Sequence, residues 1–147
     1  MSAWLLDINV LIARQDADHQ HHESVARWMH AQSGSGWATC PITENGFVRI
    51  LGQPTYPGWP GTPQLSATAL RQLIETIPGH EFLPDEVSIL DPGLAASFKD
   101  VAAREVTDLY LLALAVHHGV RFATMDARIN ASLISGGAKA YYVIPTT

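Results

Sequence analysis

A chain of 147 residues with 47% apolar and 16% charged side chains has the material for one continuous core, and residues 1–147 are read as one domain. A net charge of −5 excludes a protein that grips nucleic acid through a broad basic surface, and the single cysteine, Cys40, excludes an intrachain disulfide and fits the reducing cytoplasm. The longest apolar run, Leu109 to Val116, is too short to cross a bilayer, which takes roughly 20 helical residues, so no membrane role is expected; a charged-then-apolar leader of the secretory kind is also missing.

In chain order, Trp4-Leu5-Leu6 reads as a short buried strand ending at Asp7, with Ile8 to Ile12 starting a helix. Val25, Ala26, Trp28 and Met29 recur at helical spacing between His22 and Ala31, and Ser33-Gly34-Ser35-Gly36 stops the pattern. Trp37 to Cys40 predicts a second strand. Pro41 and Thr43 suit a helix start, with Glu44 in its first turn and Phe47, Val48, Ile50 and Leu51 on its apolar face. Four prolines between Pro54 and Pro63 forbid regular structure there and predict an exposed loop. Tyr56 and Trp59 in that loop either stack on a flat ligand such as an unpaired nucleic-acid base or fold over the core.

Ser66 to Ile77 predicts a helix, Glu81-Phe82-Leu83 a strand, and Leu94 to Ala103 a further helix. Thr107 suits the N-cap of a helix over Asp108 to His118, and Gly119 suits its stop. Val120 to Thr124 and Tyr141 to Ile144 close the list as strands. Alternating strands and helices predict a central parallel sheet covered on both faces, a three-layer α/β/α sandwich, whose ligand sites gather at the carboxyl ends of the strands. Asp7 and Asp126 each follow a strand and so fall at the same edge.

An ionised carboxylate at the end of a buried strand is costly unless it is paired, hydrogen-bonded or bound to a cation. Asp7 in Leu6-Asp7-Ile8-Asn9 meets that description, and Glu44, Asp108 and Asp126 sit beside the ends of other apolar elements. Each has an ordinary structural explanation by itself. Asp7 is a good N-cap, Glu44 and Asp108 suit the positive end of a helix, and Asp126 suits a turn.

Taken together, Leu5 to Ile12, Thr43 to Leu51, Thr107 to Ala115 and Phe122 to Arg128 resemble the successive signature segments of PIN-domain nucleases. Cys40 to Arg49 is similar to the VapC toxin branch. The resemblance implies a PIN-like fold and an endoribonuclease whose four acidic positions fall on Asp7, Glu44, Asp108 and Asp126, with Asn9 and Thr124 as supporting polar residues. Ile8 departs from the pattern, since many relatives place Thr there.

Four carboxylates of this kind are hard ligands suited to Mg²⁺, with Mn²⁺ as a substitute, and a two-ion site would set the metals roughly 3.5–4 Å apart. Bound dications also reverse the local charge that a phosphate meets, which reconciles an acidic chain with an RNA substrate. Asp7 and Asp108 are read as principal ligands, Glu44 and Asp126 as completing the cluster, and Arg14, Arg49 and Arg128 as contacts to flanking phosphates. The resemblance further implies a structured RNA substrate such as tRNA, a small VapB-like antitoxin and a homodimer. The alternatives in view are a PIN nuclease of RNA processing or decay and a PIN-fold binding module without activity. A phosphatase that also opens on a strand and an Asp needs a second Asp two residues on, where this chain has Asn9.

Among the histidines, His19, His21 and His22 read as a solvated helix start, and His117 and His118 as favourable charges at a helix end. Cys40 reads as a small apolar residue.

Overall fold

The computed structural model describes residues 3–58, 61–94 and 97–146. Five short strands, β1 (Trp4–Leu6), β2 (Trp37–Thr39), β3 (His80–Phe82), β4 (Arg121–Thr124) and β5 (Tyr141–Val143), form one sheet in the order β3-β2-β1-β4-β5. Every neighbouring pair is parallel. Helices α1 (Ile8–Gln15), α2 (His22–Ala31), α3 (Pro41–Leu51), α4 (Pro63–Thr76), α5 (Val106–His117) and α6 (Gly137–Ala140) supply the crossovers.

Side chains alternate across the sheet, so one strand residue faces each layer. Leu5, Ala38 and Phe122 pack with Leu109, Leu111, Leu112 and Leu114 of α5. Trp4, Leu6, Trp37 and Ala123 pack on the other face with α1, α2, α3 and α4. This is the expected three-layer sandwich, with a distinct apolar cluster on each face. Helix α5 buries every residue from Leu111 to Ala115, so it carries apolar side chains around its whole girth rather than along one stripe. No helix among the described residues is long and apolar enough to cross a membrane.

Three expectations are corrected. Leu94 and residues 97–102 are turn and irregular structure rather than helix, because Ser88, Asp91 and Ser97 side chains capture the N–H groups of Leu90, Gly93 and Lys99. Thr107 is not an N-cap: a 3₁₀ turn, Ala103–Glu105, leads into α5, which begins at Val106 with Glu105 as its cap. Helix α4 begins at Pro63 rather than Ser66, where Thr62 Oγ1 accepts from Leu65 N at 3.1 Å and the ring of Pro63 suits the first helical position.

The proline-rich segment is irregular from Gln53 to Gly58. Tyr56 lies against the core and donates to Asp16 Oδ2 at 2.8 Å, which fits a loop folded on the protein, while Trp59 falls outside the described residues.

Candidate metal centre

The strand order reverses direction at β1, where successive crossovers run toward β2 on one side and toward β4 on the other. Crevices of parallel sheets open at such a switch point, beyond the carboxyl ends of the strands. Asp7 stands there, one residue past β1, and its own N–H donates to Ala123 O of β4 at 3.0 Å.

Asp7 is buried, with a relative residue exposure of 5%. Oδ1 accepts from Ile8 N at 2.7 Å, capping α1, and Oδ2 accepts from Thr124 Oγ1 at 2.6 Å. Thr124 is fully buried at the end of β4, and its hydroxyl oxygen also accepts from Asp126 N at 3.1 Å. One hydroxyl thus ties two of the acids together. Burial raises the Asp7 pKa above its ordinary value, partly offset by the Thr124 and Ile8 hydrogen bonds.

Asp108 enters from the first turn of α5. Burial, followed by the charges of Asp7 and Asp126, pushes its pKa up to about 6. Asp108 thus feels the negative charges of Asp7 and Asp126. Asp126 is held below the usual carboxylate range, chiefly by the Arg128 side chain, whose Nε lies 3.0 Å from Asp126 Oδ1.

Glu44 behaves differently. Its Oε2 accepts from Thr39 Oγ1 at 2.7 Å, and the same hydroxyl contacts His80 Nε2 at 2.8 Å. Since the single Thr39 proton goes to Glu44, the imidazole donates to the Thr39 oxygen. Glu44 is not among the charges that shift Asp7 or Asp108; Glu105 is among those acting on Asp108.

Asn9, in the first turn of α1, has a buried Oδ1 without a hydrogen-bond partner among the described residues. A buried acceptor left without a donor is costly, and a cation or its bound water would satisfy it. Asp7, Asp108, Asp126 and this amide oxygen are all oxygen donors, the type a hard dication prefers, although the three carboxylates do not converge within 4.8 Å of one another as they stand.

A cleft of about 410 Å³ opens on Asp108 and Asp126, lined also by Glu105, Arg128, Arg104 and Lys99 among others. A second hollow of about 370 Å³, beside Ile8 and Thr107, carries Arg49. Arg128 shares the cleft with Asp108 and Asp126, whereas Arg49 lies in the hollow that contains Ile8 and Thr107, the sequence neighbours of Asp7 and Asp108. Arg14 lines a different cavity with Trp4, Trp28 and Trp37. Lys99, Arg104 and Glu105 were not singled out in the sequence because Lys99 falls in the stretch read as helix and Arg104 and Glu105 in the unassigned gap before α5; the charged pair Arg104-Glu105 just ahead of the acidic turn was the available signal. His80 had none.

Ile8 packs against Gly46 of α3, where an added Cβ would come within 2.4 Å of Ile8 Cδ1. The departure at position 8 is thus an apolar contact that docks α1 on α3. Cys40 is fully buried, and its N–H donates to Thr43 Oγ1 at 2.9 Å, so it serves the start of α3 as well as the core.

Residues 4–131 match the PIN domain family. The chain is 42% identical over 139 residues to Ribonuclease VapC44 of Mycobacterium tuberculosis, covering 93% of this chain and 95% of that protein. It is 41% identical to Ribonuclease VapC38 of the same organism, over 85% of this chain and 86% of the relative. Ribonuclease VapC39, also from that organism, is 39% identical over 90% and 94% respectively. The chain belongs to the PIN-domain family, in the branch of the VapC ribonucleases.

Two solved structures share the fold. VapBC2 from Rickettsia felis bound to a promoter DNA fragment superposes with a TM-score of 0.60 at 10% identity, over 84% of this chain and 88% of that one. FitAB bound to the IR36 DNA fragment gives 0.60 at 19% identity, over 95% and 94%.

Proposed function

We propose that the chain is the toxin of a type II toxin–antitoxin pair, acting in the cytoplasm as a Mg²⁺-dependent endoribonuclease on structured RNA such as tRNA and so arresting translation. The observation that carries this reading is the buried Thr124 hydroxyl joining Asp7 and Asp126 at the switch point of the sheet, in a chain 42% identical to a protein named as a ribonuclease. Residues 1–147 act as one PIN domain.

Asp7 and Asp108 are the principal ligands, and Asp126 completes the set. Mg²⁺, or Mn²⁺ in its place, supplies an activated water and neutralises charge on the scissile phosphate. Asp7 is oriented for this task by the Thr124 hydroxyl, and Asn9 offers its unpaired Oδ1 to the cation or its water. Glu44 acts from the first turn of α3, where Thr39, itself in contact with His80, holds its carboxylate. Arg128 and Arg49 steady the phosphates on either side of the cut, and Lys99 and Arg104 extend that contact along the cleft. Arg14 is a more distant RNA contact.

The partner is a VapB-like antitoxin, by analogy with the VapBC and FitAB complexes that share the fold. The toxin pairs with a second copy of itself. Incubating purified protein with total RNA tests the activity: discrete cuts with Mg²⁺ that vanish in EDTA support it, and uncut RNA under every metal condition overturns it. Co-expression with the product of any small open reading frame found beside the gene tests the partner, a stable complex that blocks cleavage being the supporting result.

A further inference from the structure

Helix α5 carries Asp108 near its start and His117 as its last residue, nine residues on, roughly 13 Å along the axis at a rise of about 1.5 Å per residue. At that far end the chain leaving β3 returns. His118, the residue that caps α5, has Nε2 3.0 Å from Pro84 O, which anchors this returning segment and brings Glu86 against the helix terminus.

The result is a convergence of three ligand-type groups. His117 Nε2 and His118 Nε2 each lie 3.6 Å from the same Glu86 oxygen, Oε1, and all three ligand atoms fall within 4.8 Å of one another. The rings stand nearly perpendicular, at 82° with centroids 4.9 Å apart, so both nitrogens address one point from different directions. A separation of 3.6 Å exceeds hydrogen-bond length, which ends at roughly 3.2 Å for nitrogen and oxygen. It is close to the ligand–ligand edge of a tetrahedral metal site, roughly 3.3 Å for bonds of about 2.0–2.1 Å. Glu86 is half exposed and the edge closes with a small swing of its side chain.

We propose that Glu86, His117 and His118 form a second metal site, separate from the nuclease centre, that takes a first-row transition dication of the Zn²⁺ type. Two imidazoles, borderline nitrogen ligands, joined by one carboxylate suit Zn²⁺ far better than Mg²⁺, whose preference is for oxygen alone. Three protein ligands leave the fourth position to water. Binding exchanges the His118 contact with Pro84 O for a metal bond, with the imidazole proton moved to Nδ1.

A dication held there cross-links the chain after β3 to the end of α5. That chain runs on to Lys99, Arg104 and Glu105 in the wall of the nuclease cleft, so the site braces the segment that carries them. The cross-link exists only in the folded chain, and Zn²⁺ therefore stabilises the protein.

The test is a Zn²⁺ titration of tag-free, metal-stripped protein, followed by calorimetry and by NMR of the histidine side chains. It is run on the unsubstituted chain and on Asp108→Asn, which weakens the nuclease centre but leaves these three residues intact. The expected result is one Zn²⁺ per chain in both proteins, with large shifts confined to the His117 and His118 ring signals. Glu86→Gln, an exchange on an exposed side chain that leaves the fold intact, and His117→Gln each weaken the binding by more than about ten-fold, the loss that removal of even an outer partner can bring. Binding that survives both substitutions, binding that disappears in Asp108→Asn, shifts at His19, His21 and His22 in place of these, or no binding at micromolar Zn²⁺ overturns the proposal.

Discussion

Thr124 Oγ1 donates to Asp7 Oδ2 across 2.6 Å, joining residues 117 apart in sequence at the carboxyl ends of neighbouring strands. The same oxygen accepts from Asp126 N, so one buried hydroxyl sets the positions of two candidate ligands. Thr124→Val keeps the shape and removes the donor. The Asp7 carboxylate then loses one of its two hydrogen bonds in a buried place, at a cost of about 1–3 kcal/mol. Chemical denaturation measures that loss, and the Mg²⁺ affinity is expected to fall by about 10-fold or more.

The pH dependence of stability has a sign fixed by the raised pKa values. Burial and the neighbouring acids lift Asp108 to about 6, and burial lifts Asp7, so the folded chain holds these protons more tightly than the unfolded chain does. Stability from this source is complete below the ordinary carboxylate range and is lost as pH rises through about 6. The metal-free protein is expected to melt at falling temperature across that window, and Asp108→Asn to flatten the fall. Asp126, held low by Arg128, contributes oppositely and only at more acid pH.

Mg²⁺ reverses this trend, since binding requires the carboxylates ionised. At neutral pH added Mg²⁺ is expected to raise the melting temperature, because it binds the folded chain alone. Asp7→Asn retains a good N-cap for α1 while removing the charge, and should abolish the rise without unfolding the protein. A rise of equal size in that variant counts against Asp7 as a ligand.

Most of the layers were legible because α/β folding writes simple signals. Trp4-Leu5-Leu6 and Phe122-Ala123-Thr124 are buried on both faces and read as short apolar runs, and Gly119, at φ 69°, ends α5 where a left-handed residue was needed. Boundaries set by local capture were not legible. The side chains of Asp91 and Ser97 outcompete a helix whose apolar spacing looked adequate, and Glu105 supplants Thr107 because a 3₁₀ turn extends α5 backward. For the candidate site, the places of Asp7, Asp108 and Asp126 at element ends left ordinary explanations open, and it was the resemblance of the surrounding segments to the PIN signature that grouped them. The hold of Thr39 and His80 on Glu44 depends on the β2–β3 register, which no local pattern encodes.

Gly46 is expected to resist substitution because α1 and α3 approach closely there. An alanine Cβ would meet Ile8 at 2.4 Å, and overpacking of this kind costs about 1–3 kcal/mol. Ile8→Val removes the Cδ1 atom involved, so the penalty of Gly46→Ala should shrink in that background. A double-mutant cycle by urea denaturation reads the coupling.

The most direct measurement is cleavage of total RNA by Asp7→Asn at saturating Mg²⁺, beside the unsubstituted protein and after circular dichroism has shown both folded. Loss of every discrete cut made by the unsubstituted chain is the predicted result. Full cleavage by the folded variant would contradict the assignment of Asp7 to the metal centre and, with it, the account of how this sheet edge cuts RNA.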